Sequence, residues 1–183
     1  EAPILLAKKL FGEEYEDHFE KLDKGGLRTN DILVWLGLNE HRDDFYDRYT
    51  IDENAIEENT AYYQELYKTE IEKADLITLT LGGGDVSTFI EKQIIALRET
   101  GSTYALDWTK YFPEADLTEI YGYIDTITKV LDGTLPEIMG VEAEDLAPVV
   151  AESFLYGFVG YVNNYSKIVD RIHEMNPDAH IVL

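Results

Sequence analysis

An α/β sandwich with a mostly parallel sheet and a large helical insertion is the fold class this sequence predicts. Three observations carry the prediction. "DLITLTL", Asp75 to Leu81, combines β-branched residues and leucines over a strand-sized length and is the strongest strand signal in the chain. "AHIVL", at the end of the sequence, begins a second buried strand. Around them, apolar residues recur at helical spacing, and strands separated by helices argue for a parallel sheet.

The elements follow in chain order. "PILLAKKLFG" reads as a helix, with Pro3 suited to its first turn and Gly12 to its stop. "HFEKLDKGG" reads as a short strand running into a glycine turn. "TNDILVWLGLN" offers Thr29 or Asn30 as N-cap, with Ile32, Leu33 and Leu36 on one face. "HRDDFYDRYTIDE" is polar and aromatic and reads as a loop. From Asn54 to about Ala74, the residues Ile56, Tyr63, Tyr67, Ile71 and Ala74 keep a helical period. Beyond the Asp75–Leu81 strand, Val86, Phe89, Ile90, Ile94 and Leu97 make another helical stripe. "GSTYALDWTKYFPEAD" is a loop, Leu117 to Leu131 is helical, and "DGTLPEIMGVE" is a connection. Glu144 to Met175 is long and periodic, but Gly157 and Gly160 weaken its middle, so a kink or two helices are expected there. "NPDAH" breaks it before the final strand. Residues 87–161 thus form a mainly helical insertion between two sheet strands, within a single domain over 1–183 that reads as incomplete at both ends.

Composition excludes several classes. The 183 residues are 45% hydrophobic, enough for one sizeable core. Acidic residues number 37 against 15 basic, a formal net charge of -22, which repels nucleic acid and anionic membranes. With no cysteine, disulfides and thiolate zinc sites are ruled out. No apolar run is long enough for a membrane-spanning helix.

Two glycine turns are the candidate site. Gly82, Gly83, Gly84 and Asp85 close the best strand and open a helix. In open parallel sheets, ligands bind beyond the carboxyl ends of the strands. Glycine permits positive φ and close backbone approach, and a helix N-terminus favours negative charge. Asp85 could be the N-cap of that helix, in which case the run is simply a capped strand-to-helix turn. No Gly-Lys-Ser/Thr follows, so it is not a phosphate loop, and its glycine spacing does not fit a dinucleotide fingerprint. "DKGGLRTND" repeats the logic with Gly25 and Gly26.

These stretches resemble the SGNH (GDSL-type) hydrolases. "ADLITLTLGGGD" is similar to the family's third block, and "DKGGLRTND" to its second. "NNYSKIVDRIHEMNPDAHIVL" is similar to the segment leading into its fourth strand, and "PILLAKKLFG" fits the helix after its first block. The resemblance implies a flavodoxin-like three-layer α/β/α sandwich with a mostly parallel sheet. It also implies a serine ester hydrolase without cofactor, acting on a small-molecule, lipid or glycan ester, with an extracellular or cell-surface location. In such enzymes Ser attacks the carbonyl, His takes its proton and Asp orients the His. The resemblance places Gly26, Gly82, Gly83, Gly84 and Asp85 at the oxyanion hole and substrate-binding turn.

The departures are specific. The nucleophile block and the closing D-x-x-H block are not in these residues, so the chain alone is expected to be inactive. A complementing chain, a swapped partner or a longer parent would supply them. None of Ser87, Ser102, Ser153 or Ser166 has a nucleophile context. The family's oxyanion Asn is Gly84 here, which has no side-chain donor. That change favours the alternative, a non-catalytic binding module on the same scaffold. Asp170 and His173 spell D-x-x-H inside a helical stretch, where an i,i+3 pair on one face is the simpler account. His180 alternates with apolar residues in a strand, and nothing in the pattern singles out His18 or His41. "NEHRDD" has carboxylates and a His within loop reach, but a solvated acidic loop explains it and no metal is expected. The aromatics of Trp108 to Ile124 either line a substrate groove or lid, or pack the insertion down.

Overall fold

The structure, a computed structural model, describes residues 2–22, 28–39, 60–110, 117–138 and 140–182. Of these residues, 71% are helical. The α-helices are α1 (Ala2–Phe11), α2 (Thr29–Trp35), α3 (Thr60–Lys73), α4 (Gly83–Thr100), α5 (Leu117–Leu131) and α6 (Ala143–Met175). Short 3-10 turns cover Gly12–Asp17 and Trp108–Lys110. The strands are β1 (Leu76–Thr78) and β2 (His180–Val182), parallel, with Leu76 opposite His180 and Thr78 opposite Val182.

The predicted flavodoxin-like three-layer sandwich is therefore wrong. Among the described residues the sheet has two strands of three residues each. A third layer needs helices on both faces of the sheet. Here Ile77 and Ile181 pack against the core, while Leu76 and Val182 are 39% and 47% exposed. β1 is also shorter than the "DLITLTL" run, since Leu79 makes one more bond, to the Val182 carbonyl at 2.9 Å, and the strand then ends. The strand expected before the first glycine turn does not form over His18–Leu22, and Gly25 and Gly26 lie outside the described residues.

The described residues form two compact units, Glu1–Leu81 with Lys167–Leu183, and Gly82–Ser166. In the first unit the core is Ile32–Leu36 of and just after α2, Tyr67 and Ile71 of α3, and Ile168 and Ile172 of α6. Trp35 stacks on Tyr63 at 4.4 Å between centroids and lies tilted against Tyr67. Arg171 Nε donates to the Leu36 carbonyl at 3.3 Å. Asn176 Nδ2 donates to the carbonyls of Ile71 and Ala74, both at 2.8 Å, satisfying acceptors that the end of α3 leaves open.

The N-cap of α2 is Arg28, not Thr29 or Asn30. Its backbone N–H donates to Asp31 Oδ2 at 3.1 Å, and its guanidinium meets both oxygens of the same carboxylate at 3.2 and 3.3 Å. Both residues are almost wholly buried. A buried charge needs a partner of this kind, and the two-point fork is the geometry Arg supplies best.

In the second unit α4 and α6 run antiparallel. Phe89 meets Tyr156 edge-on at 5.0 Å, and Tyr156 meets Trp108 edge-on at 5.1 Å. The Gln93 amide closes both backbone groups of Tyr104, accepting from its N–H at 2.7 Å and donating to its carbonyl at 2.8 Å. Ile94, Val141 and Leu146 make a separate cluster. α6 is one continuous helix of 33 residues, so the expected division at its glycines does not occur. Gly157 instead lies close against the first turn of α4. A Cβ there would stand 2.9 Å from Val86 Cα and 3.0 Å from the Asp85 carbonyl oxygen.

Candidate functional site

The site is the turn that opens α4. It follows β1 in the chain, after Leu79–Leu81. Gly82 is the N-cap, with φ +103° and ψ -28°, a conformation that side chains other than glycine's rarely adopt. The Tyr161 ring of α6 packs on it, so a Cβ would fall 2.9 Å from two ring carbons. The first helical bond runs from the Val86 N–H to the Gly82 carbonyl at 3.3 Å. The N–H groups of Gly83 and Gly84 precede that bond and have no acceptor within the helix. Gly83 is exposed and Gly84 half-buried. An 18-residue helix stands behind them, so its dipole adds to their pull on negative charge.

Asp85 is not the N-cap. It is the third helical residue and has 0% exposure. Its carboxylate therefore supports the helix start, where negative charge is favoured, and does not reach a ligand in solution. The chemistry open at the turn is backbone chemistry: two amide donors held in fixed directions by Gly82. Such an arrangement can bind a carboxylate, a phosphate or a developing oxyanion. Gly84 contributes its N–H and no side-chain donor.

Other residues singled out in the sequence do not join this turn. Gly26 lies outside the described residues, as do His41 and Glu40–Asp44 of the acidic loop. No group of three metal-ligating side chains occurs among the described residues. His18 stacks on Phe11 at 4.7 Å. His173 and Asp170 are exposed on α6, and His180 is exposed on β2. Ser87, Ser102 and Ser166 are exposed. Ser153 is 1% exposed and its Oγ has no hydrogen-bond partner among the described residues. No described serine is hydrogen-bonded to a histidine, so these residues hold no Ser–His pair.

In the aromatic stretch, Trp108 packs inside the second unit. It is 3% exposed and its Nε1 points at Glu152 Oε1, 3.4 Å away. Tyr121 and Tyr123 face solvent. The sequence reading missed two features. The Arg28–Asp31 pair had a local signal, an Arg and an Asp three apart at a helix start. Tyr161 over Gly82 had none, because the two residues are distant in the chain.

No helix of the described residues is long and apolar enough to cross a membrane. No family model, no curated protein and no solved structure matches the chain.

Proposed function

We propose that the chain carries the oxyanion-binding half of a GDSL-type serine ester hydrolase whose nucleophile and base lie outside these 183 residues. One observation carries the reading: a left-handed Gly82 opens a long helix, with Gly83 exposed, and Leu79–Leu81 separate it from the end of a strand in a parallel pair. The reading rests on that turn and that pair, not on a three-layer sheet. A serine supplied from elsewhere attacks the ester carbonyl, and its proton passes to a histidine base. The carbonyl oxygen gains charge and is held by the N–H groups of Gly83 and Gly84. The substrate is a small-molecule, lipid or glycan ester. The second reading, a binding module that takes an anion at the same turn, is favoured by Gly84 in place of a side-chain donor.

Fluorophosphonate labelling of the full gene product, followed by peptide mapping, tests the proposal alongside p-nitrophenyl acetate turnover. The expected result is a labelled serine outside residues 1–183, and turnover that rises at least about tenfold in Gly84→Asn, since one oxyanion donor is worth roughly a hundred- to a thousand-fold. No label and no turnover would overturn the hydrolase reading and leave the binding module.

A further inference from the structure

We propose that a groove in the second unit, between the end of α4, the side of α5 and the start of α6, binds a small organic ammonium ion with an apolar body. Its volume is about 460 Å³, in the range of small-molecule sites. Leu97, Ile124 and Val149 give it an apolar floor. Asp145 and Glu152 stand on its α6 side. They are two helical turns apart on one face, a separation of about 10 Å along the axis. Tyr121, 54% exposed, lines the groove too.

The lining is rich in acceptors and poor in cations. None of its described residues is Lys, Arg or His. Pro148, also in the lining, has no N–H and so cannot donate the ladder bond to the Glu144 carbonyl. An ammonium group has three donors and no acceptor, which matches such a surface. An exposed tyrosine ring attracts the same charge through its face. An anion would meet two carboxylates with no compensating cation. A plain hydrocarbon would cover those carboxylates without pairing them, which is costly.

Asp145 has an ordinary role as well, since it lies in the first turn of α6 and complements the helix dipole. Glu152 has no such role. It sits in the third turn, and the Trp108 indole N–H holds its carboxylate at the groove. The net charge of -22 draws cations to every face, so charge alone does not select this place. The conjunction of floor, ring and two carboxylates does.

Amide chemical shifts followed by NMR at constant ionic strength test the proposal, with n-hexylammonium as ligand and 1-hexanol and hexanoate as matched probes. Saturable shifts centred on Leu97, Ile124 and Val149 are expected with hexylammonium, weaker ones with hexanol and none with hexanoate. Glu152→Gln keeps an oxygen for Trp108 and should weaken hexylammonium binding about two- to five-fold, the worth of one exposed charge pair. Glu91→Gln, an exposed control on α4 outside the lining, should leave it unchanged. Three results would overturn the proposal: shifts spread over the surface without saturation, hexanol binding as tightly as hexylammonium, or the two variants weakening binding alike.

Discussion

Gly82 is the residue on which the site depends, and two separate demands fall on it. Its backbone has φ +103°, and its Cα lies under the Tyr161 ring. A side chain there meets both, with backbone strain of about 1–3 kcal/mol and a ring contact at 2.9 Å that forces a shift. We expect Gly82→Ala to lower the unfolding free energy in urea by about 2–4 kcal/mol. In a Tyr161→Ala background the steric part should vanish and the conformational part remain. Equal losses in both backgrounds would show that the ring contact contributes nothing. The sequence marked Gly82 as special, because a glycine run after a strand has few other uses. It could not name Tyr161, and it misassigned Asp85. An Asp at a helix start reads as a cap, but the third helical position serves the dipole equally well. Only the backbone angles of Gly82 decide between them.

At the scale of elements, helices were legible and strand partners were not. The apolar periods of Ile94 and Leu97 in α4, and of Ile168 and Ile172 in α6, lie on faces that pack, because a period of 3.6 residues is a local property. The run Asp75–Leu81 has strand character throughout, yet only Leu76–Thr78 is strand, since its length is set by what β2 offers for pairing. No local pattern states how many partners a strand will find. At the glycines of α6 the sequence allowed a kink or two helices, and the helix is not divided there. Gly157 looked like a weak point in a helix, whereas its missing Cβ is what admits the backbone of Val86. Two substitutions separate these roles. Gly157→Ala should cost about 1–3 kcal/mol by overpacking, against the propensity gain that alanine normally brings. Gly122→Ala in α5, where no atom lies within 4 Å of the added Cβ, should gain about 0.5–1 kcal/mol. Thermal melts in one buffer should move in opposite directions. A rise in both would mean that α4 and α6 are not in tight contact at Gly157.

For the whole molecule the governing quantity is charge. The excess of 37 acidic over 15 basic residues cannot be cancelled by pairing, and the ion pairs seen include Arg28–Asp31, Lys73–Glu70, Arg98–Glu99, Lys129–Asp125 and Arg171–Glu174. Of these, only Arg28–Asp31 is deeply buried. Salt acts on the two populations differently. Exposed pairs such as Lys129–Asp125 are worth about 0–1 kcal/mol each, so screening them loses little. Screening the surplus carboxylates removes a repulsion that only the compact state feels fully. As the Debye length falls from about 10 Å at 0.1 M to about 3 Å at 1 M, the second effect should win. Tm should therefore rise with NaCl, by several degrees between about 0.02 and 0.5 M, since 1 kcal/mol moves Tm by roughly 2–4 °C at this size. Charge reversal supplies the control. Glu91 and Glu137 are exposed, and Glu91→Lys with Glu137→Lys changes the net charge from -22 by four units, to -18. That double variant should have a higher Tm at low salt and a shallower rise with NaCl. A Tm that stays flat or falls as salt is added would show that the acidic surface is not what limits stability, and would return that role to the small parallel sheet.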